Sequence, residues 1–209
     1  MQTPRGIFIS IEGGEGAGKT TVLNAIRTYF EAQNRAVLCT REPGGTVVGE
    51  RIRETLLATD QAIVPEAELL LMFASRAQLV QTLVLPALAE GKVVLTDRFT
   101  DASFAYQGGG RGLPVAKIEA LETAFVGIRP DLTLLLDVGV AQGMARAQAR
   151  GQQLDRIEQE QTDFFQNVRM AYLALAAQQP QRIKCIDASQ SPEQVVSDVL
   201  AVLTAWQAG

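Results

Sequence analysis

The sequence predicts an α/β domain, three layers (α/β/α) on a five-stranded parallel sheet, and three observations carry that prediction. Five short segments are almost continuously apolar, the pattern of strands buried on both faces. Longer stretches with helical spacing separate them, as parallel neighbours require. The first apolar run leads directly into a glycine-rich loop, Gly13-Gly14-Glu15-Gly16-Ala17-Gly18-Lys19-Thr20, and then into a helix.

In chain order, residues 6–12 form the first strand and 19–33 a helix ending near Asn34. Ala36 to Thr40 is the second strand, Arg41 to Gly45 a loop, and 47–58 helical, with a polar break at Thr59-Asp60-Gln61. Pro65 opens a long apolar helix to about residue 90, in which Pro86 predicts a kink or break. Val93 to Asp97 is the third strand, Gly108-Gly109-Gly110 marks a loop, and 114–126 form a helix. Leu132 to Asp137 is the fourth strand, followed by helices at about 140–150 and 158–178. Arg182 to Asp187 is the fifth strand, and a last helix opens after Ser191, which can cap it.

At 209 residues with 47% hydrophobic content, the chain is expected to form a single domain over 1–209 with a good core. Its net charge of −4 does not suggest a nucleic-acid partner. Cys39 and Cys185 match no metal or redox spacing and read as free thiols of a reducing compartment. No signal peptide and no membrane-spanning run of ~20 apolar residues is expected, so the protein should be soluble and cytoplasmic, without a membrane partner. The absence of histidine excludes Ser–His and Cys–His nucleophilic catalysis and any His-ligated metal.

In a parallel sheet, ligands bind outside the carboxyl ends of the strands. The Gly13–Thr20 loop fits the phosphate-binding P-loop pattern without a gap. Its backbone N–H groups, with those opening the helix at Lys19-Thr20-Thr21, can cradle the phosphates of a nucleoside triphosphate. Lys19 brings a cation to the β/γ-phosphates, and Thr20 offers a hydroxyl to Mg²⁺. The domain is therefore expected to be P-loop NTP hydrolase-like. Asp97, ending an apolar strand, can hold Mg²⁺ directly or through water, and Arg98 beside it can clamp a phosphate. Glu15 is electrostatically odd beside a triphosphate, which argues for a role. Ser103 and Gln107 are four apart and share a face on a helical turn. Arg146 and Arg150 share another, and Gly151-Gln152-Gln153 then gives a flexible polar segment, so residues about 143–157 suit a short mobile lid closing over ATP.

Several of these segments together resemble bacterial thymidylate kinase. Asp97 to Gly112 (DRFTDASFAYQGGGRG) looks like its signature, as do Thr40 to Thr46 (TREPGGT), Arg129 to Leu134 (RPDLTL) and Leu154 to Glu158 (LDRIE). The likeness runs over essentially the whole chain. It implies phosphoryl transfer from ATP to dTMP, giving dTDP and ADP for dTTP and DNA precursor synthesis, in a homodimer. A phosphate oxygen of dTMP is already an anionic nucleophile, so no general base is needed, which suits a chain without histidine.

By the same resemblance, Arg41 and Arg98 hold the dTMP phosphate, with Arg53 assisting, and Glu15 accepts the sugar 3′-hydroxyl. Ser103 and Gln107 bond the pyrimidine edge, and Tyr106 lies against the deoxyribose and leaves no room for a 2′-hydroxyl. Relatives stack an aromatic residue on thymine and bond its carbonyl with an arginine four residues later. Arg76 is in place here, but Met72 stands four before it and Phe73 three before it; both spacings are helix neighbours, so Phe73 can serve as the stacking residue, with the choice between it and Met72 left open. The free positions of the P-loop hold no basic residue, so the lid must supply one, with Arg150 and Arg156 the leading catalytic candidates and Arg146 nearer the adenine. Two other readings stay open: a kinase acting on UMP or CMP, and a P-loop switch without a small-molecule acceptor. Against the latter, no Asn-Lys-x-Asp guanine-reading motif is present.

Overall fold

The computed structural model describes residues 5–149, 151 and 155–208. Strands β1 (Ile7–Glu12), β2 (Val37–Arg41), β3 (Val93–Asp97), β4 (Leu132–Asp137) and β5 (Ile183–Asp187) form one parallel sheet in the order β2-β3-β1-β4-β5. Register pairs Ile11 with Asp97 and Arg41 with Asp97, so β1, β2 and β3 finish within a residue of one another, while β4, paired Leu135 to Glu12, and β5 run on two residues further. All five end on a charged residue, Glu12, Arg41, Asp97, Asp137 and Asp187, along one edge of an apolar sheet. The order reverses direction at β1, the topological switch point, and the P-loop leaves the sheet there.

Alternation along the strands feeds two core layers. Ile9, Ile11, Val93 and Leu95 face α1 (Lys19–Glu31) and the C-terminal helix Pro192–Ala208, where Val22, Ile26, Phe30, Val199 and Leu203 are fully buried or nearly so. Each such side chain contributes roughly 1.5–3 kcal/mol by burial. Phe8 and Val94 point the other way, onto Leu69, Phe73, Leu79, Val84 and Phe99. The α1 helix ends at Glu31, two residues before the expected 33, and Asn34 in the turn that follows takes a left-handed conformation. Ser191 Oγ accepts the Gln194 N–H, the expected cap.

Four expectations change. After α2 (Val47–Leu57), the long apolar helix is not broken at Pro86. It runs as α3 (Pro65–Leu79), a π-turn over Val80–Val84, and α4 (Leu85–Ala89). The widened turn, in which Leu85 N–H reaches Val80 O, makes room for a ring that would otherwise clash with the preceding turn. By length and composition alone, Pro65–Ala89 would be apolar enough to cross a membrane, which corrects the reading that no stretch approaches that limit. Its inner face instead completes the core, with Phe73, Leu79, Val80 and Val84 at 0–2% exposure.

Next, the segment after β3 is helical throughout: α5 (Thr100–Ser103) passes into a π-helical stretch, Phe104–Gly110, that includes all three glycines read as a loop. They are there for contact. A Cβ on Gly109 would lie 2.6 Å from Ala171 Cβ, and one on Gly110 2.4 Å from the Phe164 ring. Both neighbours belong to the helix Thr162–Gln178, which begins four residues later than its sequence pattern suggested. Between these elements come α6 (Val115–Leu121), extended by a π-turn to Val126, and α7 (Val140–Gln148), so the helices Thr162–Gln178 and Pro192–Ala208 are α8 and α9.

Candidate active site

Gly16 sits at φ +68° with Gly143 O only 2.0 Å from where a Cβ would stand, so a side chain is excluded twice over. Gly18, also left-handed, precedes α1 and offers no side-chain cap, and the first turn carries no acid. The leading N–H groups of α1 are thereby left to an anionic ligand. Lys19, 8% exposed, folds its ammonium back onto Gly13 O (3.2 Å) and Gly14 O (3.1 Å). Burial, and then Arg98, lower its pKa from the ordinary lysine value.

The loop opens onto a cleft of about 540 Å³ at the carboxyl edge of the sheet. Asp97 lines it, and its Oδ1 is buried with no hydrogen-bond partner among the described residues. Thr20 lines the same cleft. A lone carboxylate oxygen and a hydroxyl fit a hard divalent cation that keeps waters and shares phosphate oxygens. No group of three or more potential acidic, Cys or His ligands occurs among the described residues, so a full protein cage is not what is offered.

Arg98 takes a left-handed backbone, φ +68°, rare for a side chain of its size. Its N–H bonds Ile11 O and its carbonyl accepts from Thr96 Oγ1, which fix the turn. Nη2 donates to Glu15 Oε1 at 2.5 Å and to Tyr106 Oη at 2.9 Å, and Tyr106 itself donates to Glu15. Burial opposes the guanidinium charge, but the surrounding Tyr106, Glu15 and Asp97 oxygens hold its pKa above an ordinary arginine's. The Nε donor is buried and unpartnered among the described residues. Arg41 and Arg53 line the same cleft. Arg41 pairs with Glu50 at 2.9 Å and Arg53 donates to Pro43 O at 3.0 Å. Burial, and then Arg41, push the Arg53 pKa down, the mark of positive charge gathered without full neutralisation.

Met72, Arg76, Ser103 and Gln107 also line the cleft. Arg76, 2% exposed, donates from Nε to Glu42 (2.6 Å), from Nη1 to Ser103 Oγ (3.0 Å) and from Nη2 to Phe99 O (3.2 Å). Burial pushes the Glu42 carboxyl up to about 7, against the pull of Arg76. Phe73 is not a cleft residue. It lies in the core at 2% exposure, with the Arg76 guanidinium 4.7 Å above its ring. Met72 lines the cleft in its place. The reason is helical register: 72 and 76 share a face four residues apart, and 73 turns by about 100° into the sheet-facing layer.

Of the arginines read as a lid set, Arg146 donates to the carbonyls of Ala188, Ser189 and Gln190 (2.7–3.2 Å), tying α7 to the loop after β5, and lines the cleft. Arg150 lies outside the described residues. Arg156 does not line the cleft. It donates to Glu68 at 2.6 Å and to Leu56 O at 2.8 Å, drawn off by a buried carboxylate. Its neighbours Asp155 and Glu158 do line the cleft.

Sequence reasoning assigned no role to three buried acids: Glu12, Glu42 and Glu68. Glu12 Oε1 accepts the Phe99 N–H (2.7 Å) and Oε2 the Tyr172 hydroxyl (2.7 Å). Burial, then Asp101, raise its pKa to about 8. For Glu12 and Glu68 the signal in the sequence was slight, an acid ending or within an otherwise apolar element, and Glu42 stood in a loop motif that gave its side chain no direction.

The family model described as thymidylate kinase matches residues 11–199. The chain is 53% identical over 201 residues to a thymidylate kinase of Pseudomonas putida, covering 95% of each sequence. It is 50% identical to one of Acinetobacter baylyi, covering 93% of this chain and 96% of that one. Its structure resembles the crystal structure of thymidylate kinase from Ehrlichia chaffeensis with a TM-score of 0.79 at 30% identity, covering 96% of this chain and 100% of that one.

Proposed function

The chain belongs to the thymidylate kinase family and so phosphorylates dTMP to dTDP at the expense of ATP, and from that premise we propose how its residues divide the reaction. The observation that carries the division is that one cleft is lined both by the P-loop and by Arg41, Arg53 and Arg98.

In this reading Gly13 to Thr21 hold the ATP phosphates, and Lys19 turns from its loop carbonyls to the charge that builds on the transferring group. Arg146 and the loop after β5 border the adenine. Arg41, Arg53 and Arg98 hold the acceptor phosphate, the free Nε of Arg98 supplying a donor already aimed and desolvated. Glu15, fixed by Arg98 and Tyr106, stands between the two substrates and receives the 3′-hydroxyl. Tyr106, wedged against Phe164 and Tyr172, closes the space a ribose 2′-hydroxyl would need. Met72, Arg76, Ser103 and Gln107 face the base. The orphaned Asp97 oxygen and Thr20 support a Mg²⁺ site, where the cation would neutralise phosphate charge. We assign the whole chain to one nucleoside monophosphate kinase domain of the cytoplasm, acting as a homodimer. Its lid spans about 143–157, with Arg150 as the remaining basic candidate there and Arg156 available if its Glu68 contact opens.

Glu15→Gln tests the division directly. It should raise KM for dTMP several-fold and leave KM for ATP nearly unchanged; equal effects on both would count against a sugar contact.

A further inference from the structure

Glu68 stands behind the base end of the cleft, 1% exposed and outside its lining. Four donors converge on its two oxygens. Oε1 accepts from Gln107 Nε2 (2.9 Å) and Arg111 Nε (3.2 Å); Oε2 accepts from Arg111 Nη2 (3.0 Å) and Arg156 Nη2 (2.6 Å). Burial alone would favour the neutral acid, but the hydrogen bonds from Arg111, Gln107 and Arg156 outweigh it and hold the carboxyl below its ordinary pKa. An ionised carboxylate can only accept. Gln107 is therefore obliged to turn its NH₂ to Glu68 and its carbonyl oxygen away, and Gln107 lines the cleft. Among the described residues its side chain makes no other hydrogen bond, so Oε1 and the second Nε2 hydrogen are left for a ligand.

That orientation is a chemical choice. A pyrimidine with a protonated N3 between two carbonyls, as in thymine, offers a donor where Gln107 presents an acceptor. Cytosine offers the reverse at the same edge: an unprotonated N3 and an exocyclic amine. A protonated Glu68, or an amide in its place, could donate to Gln107 Oε1 and allow the flipped amide, which suits cytosine. Two arginines on one buried carboxylate exclude that state.

Resting on the reading of Gln107 as a base contact, we propose that Glu68 is a positioning residue that fixes the orientation of the Gln107 amide and thereby selects N3-protonated pyrimidines over cytosine. It touches no substrate and acts through Gln107, while its Arg156 contact ties the same carboxylate to the end of the proposed lid.

The test compares kcat/KM for dUMP and dCMP, which differ only at the N3/C4 edge, so any effect of the thymine methyl cancels. Glu68→Gln should lower the dUMP:dCMP ratio at least tenfold, and Glu68→Asp, which keeps the carboxylate, should retain most of it. Both substrates are measured on one preparation, so a loss of folded protein cancels from the ratio. A Glu68→Gln ratio equal to wild type, with both activities falling together, overturns the proposal. Gln107→Ala separates the two levels. If it lowers the ratio, adding Glu68→Gln should change it no further. If it lowers the ratio and Glu68→Gln alone does not, the Glu68 proposal falls and the base contact stands. If Gln107→Ala leaves the ratio unchanged, the base contact and the proposal fall together.

Discussion

Glu12 holds three pieces of the site with one carboxyl group: the end of β1, the Phe99 amide next to the strained Arg98, and Tyr172 of α8. Its folded-state pKa of about 8 lies above an ordinary glutamate's 4.5, burial being the first cause and Asp101 the second. The native state therefore binds one more proton than the unfolded chain between about pH 4.5 and 8. The stability contributed by that proton is present in full below 4.5 and is lost as pH rises to about 8. Glu12→Gln has the same shape, can accept from Phe99 and donate to Tyr172, and never ionises. The variant should gain on the wild type across that window, by up to ~1.4 kcal/mol per pH unit, and the gain should level off above pH 8. Urea unfolding of both proteins at pH 5, 7 and 9 reads this, and parallel profiles would sink it. The side chains around Glu12 show what residue-level reading can reach. Lys19, Asp97 and Arg98 were legible because a motif fixes their backbone and hence their direction. Phe73 was misplaced because composition names an aromatic without saying which way it turns, and only the helix register separates it from Met72. Glu12 and Glu68 were missed because their importance lies in partners distant in sequence, at separations of 160 residues for Tyr172 and 88 for Arg156.

Among the elements, the strands were the most legible, since a buried parallel strand needs little more than an apolar run, and β3 and β4 begin and end where the sequence placed them. The Gly108–Gly110 run was misread because glycine carries two meanings, freedom to turn and permission to approach, and only tertiary contact distinguishes them. At Pro86 the expected break is replaced by a π-turn over Val80–Val84 that carries the helix on. The close approach makes a prediction. In Gly109→Ala the new methyl would meet Ala171 Cβ at 2.6 Å and Asn167 O at 2.9 Å, two fixed points of α8 rather than a flexible tip. The π-helical stretch must shift off α8, costing about 1–3 kcal/mol. It carries Tyr106 and Gln107, so KM for dTMP should rise more than KM for ATP. Thermal unfolding with both KM values measures this; a variant as stable as wild type with an unchanged KM for dTMP would show the contact to be unimportant.

At the scale of the whole molecule, the charged carboxyl ends of five parallel strands place the site, and the alternation of strands with helices made that edge legible before any contact was known. What alternation does not specify is which helix faces are covered. The face of α3 turned to the sheet is core, yet Leu70 on its outer side is 58% exposed. Phe125, on the π-turn that packs beside α3, is also 58% exposed, and Val64 at the start of the helix is 64% exposed. A helix apolar on both sides is usually covered on both. In a twofold dimer the same patch meets itself, so one substitution acts on both subunits at once. Sedimentation velocity at micromolar concentration should therefore find twice the chain mass for the wild type. Leu70→Glu should shift the protein toward the mass of one chain, because two carboxylates would face each other across an apolar seam. Met72 and Arg76 stand on the same helix, so the separated chains should also bind dTMP more weakly, while the P-loop, which belongs to another element, keeps its KM for ATP. A wild-type protein sedimenting as a single chain would remove this account of the exposed face, and a dimer unaffected by Leu70→Glu would place the seam elsewhere on the molecule.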